Sequence, residues 1–561
     1  METNFDVAIL GGGLAGLSLA IQIKNARPAT TIFLAEKRCH PVPEAAFKVG
    51  ESSSESGAHY FANVLGMKQH MEELQLKKLG LRFYFTAGDN SDITRRVESG
   101  PTFLPYVPGF QLDRGRFENH LTEECRARGV VIQEGVSVRD VSIEKERSKL
   151  HSAVILKGGE TFSINTRWIV DAAGRSGLVR RRLGLHRNVS HGVNASWFRI
   201  ADVIAVESWS KDEQWQAHLP DLPRSLSTTH LMGRGYWVWL IRLSSGSTSV
   251  GIVADESLHP LERINTFERC LDWLRKYEPQ CAHEVEIRRD KLQDFLTLRH
   301  FAHGATRVYS HHRWCLAGDA GPFTDPLYSP GSDFIGFGNS YITDLVVREL
   351  DGENIARRVE LYNRHYLSLY DSFLSLYENQ YSIMANAQVQ IAKIVWDFTA
   401  YWTNVALLFF RRKLCDYAFM TSNLPLWEPM FFLNRDMQNF FKVWAEVEHE
   451  HWEAAYIDLQ KIPFLYGYLH RDLAREQSDT ELRVTLEKNA RLLNDVAVEI
   501  GRRAIGPMEE VPDNSRAEAL LVALPESIRK RFSDGHSNPQ IANDLERIWL
   551  KPAPVAESMH A

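Results

Sequence analysis

Three observations predict an α/β protein built on a dinucleotide-binding unit. The first is a strand, glycine turn, helix and strand in the opening stretch: Phe5 to Leu10, Gly11 to Gly16, a helical run to about Lys24, then Thr31 to Ala35. The second is a series of β-patterned runs between about residues 80 and 260, such as Leu81 to Thr86, Val130 to Gln133 and Ser249 to Val253, which predicts a mixed sheet inserted into the nucleotide fold. The third is a change after Asp344 to helical spacing, through Tyr362, Tyr366, Leu369 and Tyr370 to about residue 500, which makes the C-terminal third mainly α. The expected division is a nucleotide-binding unit over 1–345, with the sheet interleaved at about 80–115 and 187–300, and a helical region over 346–561.

Composition narrows the function. The 561 residues are 44% hydrophobic and 24% charged, enough for a large core, so a disordered or disulfide-stapled chain is excluded. Lys and Arg total 65 against 71 Asp and Glu, a net charge of -6 that offers no global basic field for nucleic acid. The six cysteines (Cys39, Cys125, Cys270, Cys281, Cys315 and Cys415) show no CxxC or ligand-spaced Cys/His cluster, so no metal site is expected and a cytoplasmic setting fits. No secretory signal is read at the N-terminus, and the most apolar stretch, Val395 to Phe410, holds Asp397 and Asn404 and is too short to span a bilayer. The end of the chain, with Pro507, Pro512, Pro525, Pro539, Pro552 and Pro554, reads as short helices and a loose tail.

Gly11, Gly13 and Gly16 satisfy GxGxxG between a strand and a helix, where glycines allow the tight turn and the close approach of a pyrophosphate to backbone N–H groups. Glu36, twenty residues after Gly16 at the end of the second strand, stands where a carboxylate binds ribose hydroxyls. Two later strand-to-glycine turns, Trp168 to Gly177 and Leu316 to Gly321, resemble the further cofactor motifs of the glutathione-reductase-type FAD fold, the second placing Asp319 on the ribityl chain. No second complete GxGxxG unit is evident, so NAD(P)H is expected to act through a separate flavin reductase.

With Lys48 to Ser53, Lys78-Leu79-Gly80-Leu81-Arg82-Phe83, Gln111 to Phe117 and Trp237-Val238-Trp239-Leu240-Ile241-Arg242 added in order, the chain resembles the flavin-dependent halogenases, in their phenol- and pyrrole-acting branch, over about residues 5 to 345. The resemblance implies reduced FAD, O2 and chloride or bromide, with hypohalous acid made at the flavin and passed to an electron-rich aromatic ring, a phenol, resorcinol or pyrrole, free or carrier-bound. It implies FAD contacts at Gly11, Gly13, Leu14, Ala15 and Gly16, at Glu36 and Lys37, and at Gly50 and Glu51 of the strap beside the isoalloxazine. Further contacts are implied at Gln111, Arg114, Asp171, Gly174, Gly318, Asp319, Gly331 and Ser332. Lys78, in a KxGxxF pattern, becomes the catalytic lysine, with Lys48 a decoy beside the strap, and Trp237 and Trp239 become a wall that keeps substrate from the flavin. Ser329, Gly331 and Ser332 are the halide candidates.

Two departures are plain. Arg242 replaces the proline that ends the family's WxWxIP, and Pro330 removes one N–H from the DPxxSxG-like segment Asp325 to Ser332. They motivate a rival, a monooxygenase or dehydrogenase on the same fold that uses no halide. The aromatic run Trp396, Phe398, Tyr401, Trp402, Phe409 and Phe410 reads mostly as core or a lid over the substrate pocket; read instead as a face that docks a carrier protein or a membrane, next to Arg411-Arg412-Lys413, it gives a rival of another class, a silent flavoprotein. Tyr328, where indole-acting members carry a glutamate, argues for a phenol or pyrrole over tryptophan, and Arg180-Arg181-Arg182 reads as a solvated face.

Overall fold

A computed structural model describes residues 3–45, 49–448, 451–506 and 514–553. Lys48, Pro507, Pro512 and Pro554 lie outside the described residues. The opening strand Asn4–Leu10 pairs in parallel with Ile32–Ala35 on one side and with Glu160–Asp171 on the other, and the parallel set is extended by Val131–Gln133 and Trp314–Leu316. Val7 to Leu10 are all buried, as expected for a parallel strand covered on both faces. The helix Leu14–Ala26 lies beside the helices Arg114–Ala127 and Gly331–Leu350. Gly16 lets this helix close on the turn and strand before it: a Cβ there would stand 1.9 Å from the Gly11 carbonyl oxygen and 3.2 Å from Ile9.

A second sheet of eight strands runs in the order Leu292–Leu298, Val193–Ile200, Thr248–Asp255, Tyr236–Arg242, Thr228–Gly233, Leu81–Phe85, Glu98–Ser99 and Tyr456–Ile457. Its period of two separates two cores. Val238, Leu240, Val250 and Ile252 pack with Leu271, Trp273 and Leu274 of the helix Phe267–Tyr277, while Trp237, Trp239 and Ile241 belong to the main core on the opposite face.

The chain after residue 350 is largely helical, with long helices Ala356–Ser375, Ala387–Thr403, Leu424–Val447 and Asp479–Ile505. The last starts on a capping box of Ser478 and Glu481, which satisfies otherwise unpaired N–H groups. This region also supplies Tyr456–Ile457 to the edge of the second sheet, where Glu98 and Gly100 donate their N–H groups to Ala455 and Ile457. Trp396, Trp402, Phe409 and Phe410 are buried, so the aromatic run is interior and not a docking face. Among the described residues no helix is long and apolar enough to cross a membrane. One expectation is corrected: Arg180 is not solvated. It is buried and donates to the Gly321 carbonyl, because the turn after Asp171 folds it inward, whereas Arg181 and Arg182 stay exposed.

Candidate active site

The carboxyl ends of the parallel strands, at Leu10, Ala35, Ala172 and Ala317, face the inner side of the second sheet across a cavity of about 810 Å³. This is the position where open α/β sheets bind ligands. Gly11, at φ +126, holds the turn against the next strand, since a Cβ would stand 2.3 Å from the Ala172 carbonyl oxygen. Glu36 reaches the same cavity; its Oε2 accepts the Gly12 N–H at 2.6 Å and its Oε1 the Arg38 N–H at 2.8 Å.

Gly13, Leu14, Ala15 and Lys37 line the cavity beside Gly11 and Glu36. Gly50, Glu51, Arg114 and Gly174 line its middle, and Gly318 with Asp319 its floor. Arg114 donates to the carbonyl of Val49 at 2.6 Å and to Glu118 at 2.8 Å, which ties the strap to the helix behind it. Three expected contacts lie elsewhere. Gly16 serves helix packing, Gln111 donates its amide to the Leu226 carbonyl, and the Asp171 carboxylate accepts the N–H groups of Ala173 and Val179, closing its own turn.

The cavity carries polar atoms that have no hydrogen-bond partner among the described residues. Ser332 Oγ and Glu51 Oε2 are buried and unpaired, although buried polar groups are normally hydrogen-bonded. Together with the glycine turn, Glu36 and the volume, they fit a flavin dinucleotide. Glu51 is held on its other oxygen by Arg199 at 2.6 Å, and Arg199 also binds Asp294 at 2.6 Å.

Trp237, Trp239 and Ile241 face this cavity from one strand, with Thr228 and His230 beside them on the next. Arg242 falls on the other face by parity and meets Ser225 at 3.5 Å, so the lost proline leaves the wall intact. The indole of Trp237 donates to Tyr381 Oη at 2.9 Å, Tyr381 donates to Asp325 Oδ2 at 2.6 Å, and His191 Nε2 lies 2.8 Å from the same oxygen. That chain fixes the ring's orientation. Burial, with the Lys78 charge adding, lowers His230 to about 3, so it is a neutral imidazole at physiological pH.

A second, smaller cavity of about 90 Å³ lies beside the first, under the helix Ala387–Thr403. The turn Ser329 to Asp333 separates them. Ser329, Gly331 and Ser332 face the large cavity, and Pro330 and Asp333 face the small one. Ser329, at φ +61, uses its N–H on the Pro326 carbonyl, and Pro330 has none. Gly331 and Ser332 therefore remain as first-turn N–H donors of the helix Gly331–Leu350, beside the unpaired Ser332 hydroxyl.

Lys78 lines the small cavity and is 4% exposed. It ends the short strand Leu76–Lys78, paired with Gly109–Gln111, and its Nζ donates to Ser52 Oγ at 2.8 Å and to the Ser53 carbonyl at 3.1 Å. Ser52 Oγ is 2.9 Å from Thr228 Oγ1, and both residues line the large cavity. The ammonium thus stands one side chain away from the cofactor side. Burial lowers its pKa to about 8, opposed by the charges of Glu55 and Asp333.

The family model described as tryptophan halogenase matches residues 89–391, more than half of the chain. The chain is a member of the tryptophan halogenase family. The match begins downstream of both Gly11 to Gly16 and Lys78. This halogenase is 26% identical over 439 residues to the flavin-dependent halogenase chlA of Dictyostelium discoideum, across 72% of its own chain and 71% of that protein. It is 24% identical over 352 residues to a 1H-pyrrole-2-carbonyl-[peptidyl-carrier protein] chlorinase of Pseudomonas fluorescens, across 59% and 73% of the two chains. In fold it resembles the halogenase PltM in its complex with phloroglucinol and FAD, with TM-score 0.63 and 14% identity over 88% of this chain and 96% of that one. The halogenase is an oxidoreductase of the FAD-dependent class, with the FAD fold, inserted mixed sheet and helical C-terminal region expected of the sequence.

Sequence reasoning gave no role to Ser52, His230, Glu55 and Asp333 in this halogenase, and singled out Tyr401 only as one of an aromatic run. For His230 a signal existed, since Thr228, His230 and Met232 alternate on their strand. Ser52, Glu55 and Asp333 stood within or beside segments already singled out.

Proposed function

We propose that this protein halogenates an electron-rich aromatic ring, delivering hypohalous acid through Lys78 from one cavity to the other. The observation that carries the reading is the place of Lys78, which lines the small cavity while its Nζ touches Ser52 of the large one. Bound reduced FAD, with O2 and chloride or bromide, supplies hypohalous acid on its side of the partition. Gly11, Gly13, Glu36, Glu51, Arg114, Gly318 and Asp319 would hold the cofactor, and Gly331 and Ser332 the halide. The Trp237 and Trp239 rings exclude the substrate from the cofactor cavity, and the Lys78 ammonium donates a hydrogen bond to the oxygen of the electrophile, assisting its departure as water. Residues 1–345 would form the flavin unit, with the interleaved sheet as substrate platform and 346–561 as cover. Electrons would come from a separate flavin reductase, and the aromatic substrate would be free or tethered to a carrier protein.

The test supplies purified protein with reduced FAD, O2, bromide and a panel of phenols and pyrroles, and reads products by mass spectrometry. A paired bromine isotope pattern that disappears in Lys78→Ala, while reduced-flavin oxidation and peroxide release persist, is the expected result; equal loss of both activities would make the lysine structural. A second reading, hydroxylation without halide, is favoured by the two missing N–H donors at Ser329 and Pro330. A gain of sixteen mass units without bromine would establish it.

A further inference from the structure

Three carboxyls line the small cavity, and their surroundings differ. Glu55 opens the helix Glu55–His59 and lies 3.5 Å from His470 Nε2; burial opposes its ionisation, but His470 and its own backbone N–H outweigh that and leave it below the usual carboxylate range. Asp397 is paired with the buried Lys393 at 2.6 Å and also accepts from Gln438 at 2.9 Å and from Tyr328 at 3.0 Å. Among the described residues, no cation is in contact with Asp333. Its Oδ1 accepts from the Ser54 hydroxyl and from the Gly57 N–H at 2.9 Å, and its Oδ2 accepts from Tyr401 at 2.8 Å. Burial, with the charge of Glu55 adding, pushes its carboxyl up to about 7 in spite of those bonds. That is the range of a working base near neutral pH.

We propose that Asp333, with Tyr401 as relay, accepts the proton of the substrate's ring hydroxyl, so that the cavity selects an uncharged phenol with a free hydroxyl group. The proposal rests on the halogenase reading above. The Tyr401 Oη–H bond breaks toward Asp333 Oδ2 while the substrate O–H bond breaks toward Tyr401 Oη, and the electron pair left on the ring oxygen enriches the ortho and para carbons. The carbon–halogen bond then forms from hypohalous acid, the displaced ring proton and hydroxide leave as water, and Asp333 returns its proton to the product. Ser56 Oγ, 2.6 Å from Tyr401 Oη, keeps the relay oriented.

The rest of the lining agrees with this substrate. Phe373, Phe398, Trp402 and Phe431 offer ring faces, and among the described lining residues there is no arginine to pair with a carboxylate. A carboxylated ring would meet Glu55 and Asp333 against the Lys78 ammonium, with Asp397 already paired to Lys393. An O-methylated ring has no proton to give, and a pyrrole N–H is a far weaker acid. The titratable groups facing Asp333 are Glu55, backed by His470, Lys78 on the strap side, Tyr401, and Tyr328 with the Asp397–Lys393 pair across the cavity.

The test measures bromination by the FAD-loaded protein of a series of phenols of graded acidity, in wild type and Asp333→Asn. Taking the ratio of the two proteins cancels the ring's own reactivity. Removing a general base costs on the order of 100-fold or more, so the ratio should fall about 100-fold for the weakly acidic phenols and recover toward one for the most acidic ones, whose hydroxyl needs the least help to lose its proton. The limb of the wild-type pH profile near 7 should vanish in the variant. A ratio that stays constant across the series would overturn the proposal. Tyr401→Phe leaves the carboxyl in place and carries the same comparison if the asparagine variant does not fold. Bromination of pyrroles but of no phenol would overturn the inference and leave the parent reading standing; if wild type brominates neither, the parent reading fails by itself, and equilibrium binding of a phenol against its methyl ether still decides the inference. Preference for the phenol in wild type that is lost in Asp333→Asn supports it, and equal binding of the two by wild type refutes it.

Discussion

At the scale of single residues, burial sets the chemistry more than direct pairing does. Lys78 and Asp333 are both interior, and burial brings the lysine down to about 8 and the aspartate up to about 7, so both titrate within reach of neutral pH. The linked stability has a definite sign. A carboxyl whose folded pKa lies above its unfolded value favours the folded state most below about 4, and that contribution is lost as pH rises through about 7. Asp333→Asn, which keeps an acceptor for Ser54 and Gly57, should therefore melt at a higher temperature than wild type at pH 8 and lose that advantage at pH 5. Calorimetry at the two pH values checks it. Glu36 makes a simpler case: Glu36→Ala removes the acceptor of the Gly12 and Arg38 N–H groups as well as the proposed ribose partner, and FAD affinity should fall by roughly 10-fold to 100-fold. Flavin fluorescence titration measures it, and unchanged affinity would remove the ribose assignment.

At the scale of elements, much was legible because it is local. The glycine turn follows its strand and opens its helix within a dozen residues, and strand alternation alone places the side chains of Trp237, Trp239 and Ile241 on one face. The same parity puts Arg242 on the opposite face, so its departure from the family pattern bears on the second core and not on the wall. Gln111 and Asp171 misled because a motif position tells where a residue lies along the chain and not which backbone group its side chain satisfies. The close pairing of Asp333 with Tyr401 had no local signal: the two are separated by 68 residues and meet only when the helix Ala387–Thr403 closes over the first turn of Gly331–Leu350. Gly57 makes the approach of the strap helix possible, since a Cβ there would lie 2.1 Å from Ser332 Oγ and 3.2 Å from Asp333 Oδ1. Gly57→Ala should push the helix Glu55–His59 off that turn and disturb both cavities together. Flavin affinity and halogenation should each drop at least about 10-fold, and a loss confined to one of them would show that the cavities relax independently.

At the scale of the whole molecule, the helical region is part of the site. Phe398, Tyr401 and Trp402 wall the small cavity, Tyr381 holds the Trp237 indole, and Gln460 accepts the N–H groups of Thr102 and Phe103 at 2.9 and 3.0 Å. The sequence reads this region as helical and its aromatic run as core or a lid over the substrate pocket, but not which groups it meets, since Tyr381 is 144 residues from Trp237 and Gln460 is 358 from Thr102. A chain cut after Leu350 should expose the core that these helices bury and fail to give a soluble protein that retains FAD; soluble expression and flavin content check this, and a stable flavin-loaded fragment would restore the view of the helical region as a docking module. The strand Tyr456–Ile457 bears on another property. It lies on the edge strand Glu98–Ser99, whose unpaired N–H and carbonyl groups would otherwise be open to another chain. A two-residue strand from the helical region therefore also keeps neighbouring molecules from joining sheet to sheet, and loosening it should promote self-association.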